Sequence, residues 1–311
     1  VPGDIIIVEN EEGEAMEIRV LKYFLMIVRT ENITKAAEAL HITQPTLSRQ
    51  IAQLEEEIGA PLFYRGSRRL RLTPEGAMLK SRAEEIVDLS DKTLEDLKIR
   101  SNVVEGVISV GTGVTRAMRT LTKIMAGFRR EYPNVRFSIV TQTAEAARYQ
   151  LDRGLLDVCV MLEPVDLSDL SFIRFAEQET WSALVRADDP LCEKGFVTRK
   201  DLYKRELILP KRGQVVSELY SWLQKDPDEL NIAYYNTLGG TASAIVYESG
   251  CVCLSVDGSN PFADETKIRS LPLSPAMQTT SVIAWKRTAV MTPAMEKFIE
   301  YLSCLPGMEN S

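Results

Sequence analysis

Histidine is almost missing from this chain: 311 residues contain one, His41. A histidine-based catalytic triad or a histidine metal cluster is therefore excluded everywhere else. Cysteine is also sparse. Cys159, Cys192, Cys251, Cys253 and Cys304 are odd in number and show no C-x-x-C spacing, so neither a disulfide framework nor a zinc site is indicated. Residues two apart, like Cys251 and Cys253, share one face of a strand but sit too far apart to bridge easily. No GxxxxGK[ST] or GxGxxG phosphate loop occurs, and Gly111-Thr-Gly113 alone is too short to bind a dinucleotide. Acids are abundant, but no pair stands out from surface charge as a catalytic couple. No apolar run reaches 18 residues, and Ile5 to Val8 is followed by acids rather than by a cleavage site. A cytoplasmic protein without membrane spans is the expectation, with no cofactor and no metal.

What is present concentrates near the amino terminus. Leu47, Ile51, Leu54 and Ile58 fall on one stripe of a helix, while Pro45, Thr46, Arg49 and Gln53 gather opposite. Thr43 is a good N-cap and Pro45 is tolerated in the first turn, so the helix starts at about Gln44. Before it, Thr34 is suited to cap a short helix whose Ala36, Ala37 and Leu40 admit a close neighbour. Leu21, Phe24, Leu25 and Val28 give a third helix. Three helices with the short turn His41-Ile42-Thr43 make a helix-turn-helix unit. After Gly59-Ala60-Pro61, the alternation of Leu70 and Leu72 with Arg69, Arg71 and Thr73 predicts a strand in a hairpin wing with exposed arginines. The competing reading is a plain three-helix packing unit.

These residues closely resemble the amino-terminal domain of LysR-type transcriptional regulators. The resemblance rests on Phe24 with Val28, Ala36-Ala37, Leu40-His41, Gln44-Pro45, Ser48-Arg49-Gln50, Leu54-Glu55, Gly59, Pro61-Leu62-Phe63, Arg65, and Leu72-Thr73-Pro74 with Gly76. A recognition helix in the major groove would let Gln44, Thr46, Arg49 and Gln53 donate to base edges, with Pro45 beside them. Thr34, Lys35, Thr43, Ser48 and the wing residues Arg65, Arg68, Arg69 and Arg71 suit phosphates.

Charge is distributed accordingly. The chain carries −7 overall, yet Met16 to Thr73 holds nine Lys and Arg against six Asp and Glu. Residues 1–15 contribute five acids and no bases and read as an upstream extension, non-native or disordered. A basic head on an acidic body favours phosphate contact without indiscriminate sticking.

Thr73-Pro74-Glu75 begins a new helix, free of glycine and proline from Ala77 to Val104. Its stripe of Leu79, Ala83, Ile86, Ser90, Thr93 and Leu97, widened by Leu89 and Leu94, predicts a dimerising linker helix or one lying on its own body. Beyond Gly106 strands and helices alternate, which argues for parallel sheets covered by helices. Phe128-Arg-Arg-Glu-Tyr-Pro133 and Leu151-Asp-Arg-Gly154 resemble the effector domain of the same family, which is similar to two-lobed periplasmic solute-binding proteins. The expected fold is thus α/β: a winged helix-turn-helix domain at 16–73, a linker helix at 74–102, and a two-lobed effector-binding domain at 103–305. Lobe I is expected at about 103–183 and 266–305, lobe II at about 184–265, with Trp181 to Val185 leaving lobe I and the return near Ile268.

Ligands of open α/β sheets sit beyond the carboxyl ends of strands, near helix N-termini. That rule selects Thr112, Gly113, Thr115, Gln142, Thr143, Lys211, Arg212 and Gln214 for a small anionic effector such as a carboxylate. The opposing possibility is that Thr115 and Thr143 only cap helices. Three functions follow in order: a ligand-responsive regulator bound to double-stranded DNA, a solute-binding protein, and an enzyme on the same scaffold. The resemblance implies a homodimer, and a tetramer as a dimer of dimers; RNA polymerase is a further candidate partner.

Overall fold

The computed structural model describes residues 16–64, 70–98, 104–211, 213–237, 239–259 and 264–310. The extension at 1–15, the wing-tip Arg65, Arg68 and Arg69, and Arg212 lie outside the described residues. The chain divides into two compact units, Val1–Glu95 and Asp96–Ser311.

The first unit is built from α1 (Ile18–Thr30), α2 (Ile33–Ala39) and α3 (Gln44–Ile58), then β1 (Phe63–Tyr64), β2 (Arg71–Leu72) and the start of α4 (Pro74–Lys98). Its core is small and tight. Phe24 and Leu47 are fully buried, Leu21 and Leu54 nearly so, and Ala36 and Ala37 let α2 approach. The Phe24 ring lies 5.4 Å from that of Phe63, which ties the wing to α1. β1 and β2 pair antiparallel. Glu55 reaches out of α3 to accept from the Leu62 and Phe63 amides at 2.7 and 3.4 Å, satisfying groups that a two-residue strand leaves open. Gly76 is required: a Cβ there would stand 2.2 Å from the Leu62 carbonyl oxygen.

Three local expectations need correction. Asn32, not Thr34, caps α2, its side chain accepting from the Lys35 amide at 3.0 Å; Asn32 is extended and Thr34 already helical. Ile58 is 40% exposed because α3 ends at Gly59, beyond the reach of α1. Thr73 is buried rather than on the open face of the wing, because its hydroxyl donates to the Pro61 carbonyl at 2.7 Å and accepts from the Gly76 amide at 3.0 Å.

The second unit contains two sheets. The first uses β3 (Gly106–Thr112), β4 (Val135–Thr141), β5 (Val158–Leu162) and β6 (Leu170–Phe175), with α5 (Arg116–Glu131) and α6 (Ala144–Asp152) between strands. The chain then enters the second sheet through β7 (Glu179–Arg186), α7 (Leu191–Lys194), β8 (Val197–Thr198), α8 (Arg199–Leu202), β9 (Leu207–Pro210) and α9 (Gly213–Leu223). It continues through a 3-10 turn at Pro227–Glu229, β10 (Ile232–Asn236), α10 (Gly239–Ser249), β11 (Val252–Val256), β12 (Ile268–Ser274) and β13 (Gln278–Thr279). β14 (Ser281–Lys286), α11 (Pro293–Ser303) and β15 (Met308–Asn310) return to the first sheet. The strand orders are β15-β6-β14-β5-β3-β4 and β10-β9-β11-β7-β12-β8, with β13 beside β7.

The lobe boundaries therefore differ from those expected. β7 does not leave lobe I; it is a central strand of lobe II, antiparallel to β11 and β12. Residues 179–183 and 266–279 belong to lobe II, and the chain changes sheets just before Glu179 and near Thr280. Nor are the sheets wholly parallel. β14 runs antiparallel to both β5 and β6, since a strand returning from the other lobe enters from the opposite end. Alternation of strand and helix reports the crossovers within a lobe and is silent about strands that link lobes.

Candidate functional site

Two regions gather the residues of interest. In the first unit, α3 presents Gln44, Pro45, Thr46 and Arg49 as exposed side chains, with Ser48 and Gln53 half-buried beside them. Thr43 caps the helix, its hydroxyl accepting from the Thr46 amide at 3.4 Å and meeting the Thr46 hydroxyl at 2.8 Å. Gln44 donates to Ser48 at 2.8 Å, so the polar face is loosely ordered before any partner arrives. Thr34 and Lys35 are exposed on α2, and Arg71 on β2. His41 adopts φ 55° in the turn and is exposed. The opposite side of α3, at Leu47, Ile51 and Leu54, is core.

In the second unit a cavity of ≈ 480 Å³ lies between the two sheets. Gly113, Thr115, Gln142, Thr143 and Lys211 line it, as expected from the strand ends. Thr112 does not: it is buried and donates to the Gly113 carbonyl at 2.7 Å. Gln214 does not either, being exposed on α9.

The two threonines behave differently. Thr143 caps α6, accepting from the Ala146 amide at 3.2 Å. Thr115 precedes α5 yet makes no cap bond, and its Oγ1 is buried without a partner among the described residues. The reason lies across the cleft. Glu179, 1% exposed on β7, accepts from the Arg116 amide at 3.1 Å and the Ala117 amide at 2.9 Å, with Ser281 donating at 3.0 Å. A protein carboxylate thus occupies the positive end of α5. A ligand anion does not find those N–H groups open, contrary to what the strand-end rule suggested. Arg116 meanwhile pairs with Asp257 of lobe II and lies 3.7 Å from Glu177.

Sequence reasoning missed Trp181. On β7 it shares a face with Glu179, is 2% exposed, lines the cavity, and carries an Nε1–H without a partner among the described residues. Apolar side chains form much of the remaining wall, among them Leu162, Leu209, Val215 and Leu254. Cys253 also lines the cavity, and burial pushes its thiol up to about 12. It stays protonated at neutral pH, a wall rather than a nucleophile. All five cysteines are free. Among the described residues there is no group of three potential metal ligands and no helix long and apolar enough to cross a membrane.

Comparison with known proteins fits this division. Residues 18–77 match the family described as bacterial regulatory helix-turn-helix protein, lysR family, and residues 101–304 match the LysR substrate binding domain. The chain is 28% identical over 292 residues to the uncharacterized HTH-type transcriptional regulator YybE of Bacillus subtilis, covering 92% of this chain and 98% of that one. It is 26% identical to the uncharacterized HTH-type transcriptional regulator YbhD of Escherichia coli, covering 92% and 90%. In fold it is similar to full-length CbnR in complex with its target DNA, with a TM-score of 0.72 at 21% identity, covering 93% of this chain and 99% of that one.

Proposed function

The chain belongs to the LysR family of bacterial helix-turn-helix regulators, and from that premise we propose how its two units divide the work. It is a DNA-binding transcriptional regulator with an effector-binding domain. The reading head is α3, whose exposed Gln44, Thr46 and Arg49 enter the major groove while Gln53 reaches a flanking base. Thr34, Lys35, Thr43, Ser48 and Arg71 hold phosphates, joined by the wing residues Arg65, Arg68 and Arg69. The observation that carries this reading is the two-sidedness of α3: a fully buried stripe at Leu47 and Leu54 behind an exposed polar face.

Two heads act together. α4 leaves Ile86, Leu89, Leu94 and Leu97 exposed between 37 and 77%, an apolar stripe on which a second copy pairs. A homodimer, assembling further into a dimer of dimers, places two heads on successive major grooves of cytoplasmic DNA, where RNA polymerase is available as a partner. A small-molecule effector in the interlobe cleft, stabilising one arrangement of lobes over another, changes how the dimers bind or bend DNA.

The test of the head is Arg49→Ala. Binding sites are selected from random duplexes, and wild type and variant are compared on the selected site and on a scrambled one at fixed salt. Loss of about 1–3 kcal/mol of discrimination identifies Arg49 as a base reader. Equal weakening on both duplexes assigns it to the phosphates instead.

A further inference from the structure

The cleft holds two buried polar atoms that the protein leaves unsatisfied, and both face one cavity. Trp181 Nε1 comes from lobe II and Thr115 Oγ1 from lobe I. An indole N–H can only donate. Leaving it buried without an acceptor costs about 1–3 kcal/mol, which is why such groups are nearly always paired. Trp181 sits two residues from Glu179 on the same face of β7, and Glu179 grips the first amides of α5, directly after Thr115. The two orphaned atoms therefore flank the same end of the cleft.

The rest of the lining restricts what can bring an acceptor there. The α5 N-terminus is already neutralised by Glu179, and the first turn of α6 is capped by Thr143. Lys211 is the one described cation of the lining and Glu145 the one described anion, so the wall has no surplus positive charge for a phosphate. The walls beyond are aliphatic, with too few polar groups to satisfy a sugar. From the two orphaned donors, the occupied helix terminus and the aliphatic walls, we infer that the cleft takes a monocarboxylate on an apolar body, its carboxylate set between Trp181 Nε1 and Thr115 Oγ1. This rests on the reading of the cleft as the effector site and names the chemistry of its ligand.

Octanoate is the probe, titrated calorimetrically into the full chain, with octylammonium and glucose 6-phosphate as controls. Octanoate binds wild type and the controls do not. Trp181→Phe keeps the ring and deletes the donor, weakening octanoate about 10-fold or more, the worth of a hydrogen bond to a charged group. Thr115→Val does the same in a side chain of nearly equal size, so the test survives if Trp181→Phe fails to fold. Failure of octanoate to bind wild type overturns the inference, as does undiminished binding by a folded Trp181→Phe or Thr115→Val protein. DNA footprints separate this from the effector reading. Trp181-dependent octanoate binding with an unchanged footprint upholds the ligand chemistry and removes the regulatory role. A footprint altered by glucose 6-phosphate in the absence of octanoate binding does the reverse.

Discussion

The head and the cleft solve opposite problems with similar residue types. On α3 the polar groups that matter are exposed, bonded loosely to each other or to water, and the protein is complete without its partner. In the cleft the polar groups that matter are buried and two of them are unsatisfied, so the protein is complete only with something else present. The difference follows from what is recognised. DNA arrives with a dense array of charges and edges and can reorganise an exposed face. A small molecule offers few atoms, so the site must already be shaped and dry.

The sharpest way to break that comparison is to unfold one side alone. Phe24 is fully buried at the centre of the head, packed on Phe63. Phe24→Ala should cost about 3–5 kcal/mol, the usual range for emptying such a site. Calorimetry should then show the head's transition lost or strongly lowered, with DNA binding abolished and ligand binding by the body retained. Loss of both activities together would mean that the two units do not fold independently.

The converse change is Glu179→Gln. The amide keeps one acceptor but turns an NH₂ group toward an α5 amide that needs an acceptor, at a cost of about 1–3 kcal/mol. The body's transition should fall by roughly 2–4 °C per kcal/mol while the head's stays where it was. Because Glu179 also fixes the residue after Thr115, ligand affinity should fall in the same variant even at temperatures where it is fully folded.

The same contrast explains what could be read from the chain beforehand. The head was legible because its site lies in one helix: spacing alone put Leu47, Ile51 and Leu54 inside and Thr46 and Arg49 outside. Its errors were local ones, Asn32 capping in place of Thr34 and Ile58 overhanging the core. The cleft is assembled from strand and helix ends spread from Gly113 to Ser259, and only those at the ends of regular strands could be foreseen. Trp181 escaped because its strand was assigned to the wrong lobe. No pattern in a sequence marks a donor whose acceptor is missing; that depends on Glu179 and α5 meeting across the hinge.

Acid gives the smallest of these effects and the finest comparison. Glu163, on the lobe I side of the crossover, is held below the ordinary glutamate value of 4.5 first by hydrogen bonds from Arg174, at 2.9 and 3.1 Å, and then by the Thr280 hydroxyl. A carboxylate lowered in the folded state adds stability that is fully present above its unfolded value and is lost as pH falls through the folded one. With Arg174 40% exposed, solvent screens the pair and its worth is modest. Every carboxylate held low among the described residues lies in the body, Asp201 at about 2 among them, where hydrogen bonds from Lys194 and Thr198 outweigh the opposing effect of burial. In the first unit Asp88 is instead raised, by burial and then by Glu84 and Asp91, and acid relieves that cost. Below about pH 4.5 the body's transition should therefore fall faster than the head's. The gap between wild type and Glu163→Gln, open at neutral pH, should close over the same range; a gap independent of pH would mean that the Glu163 charge does not contribute to holding the body together.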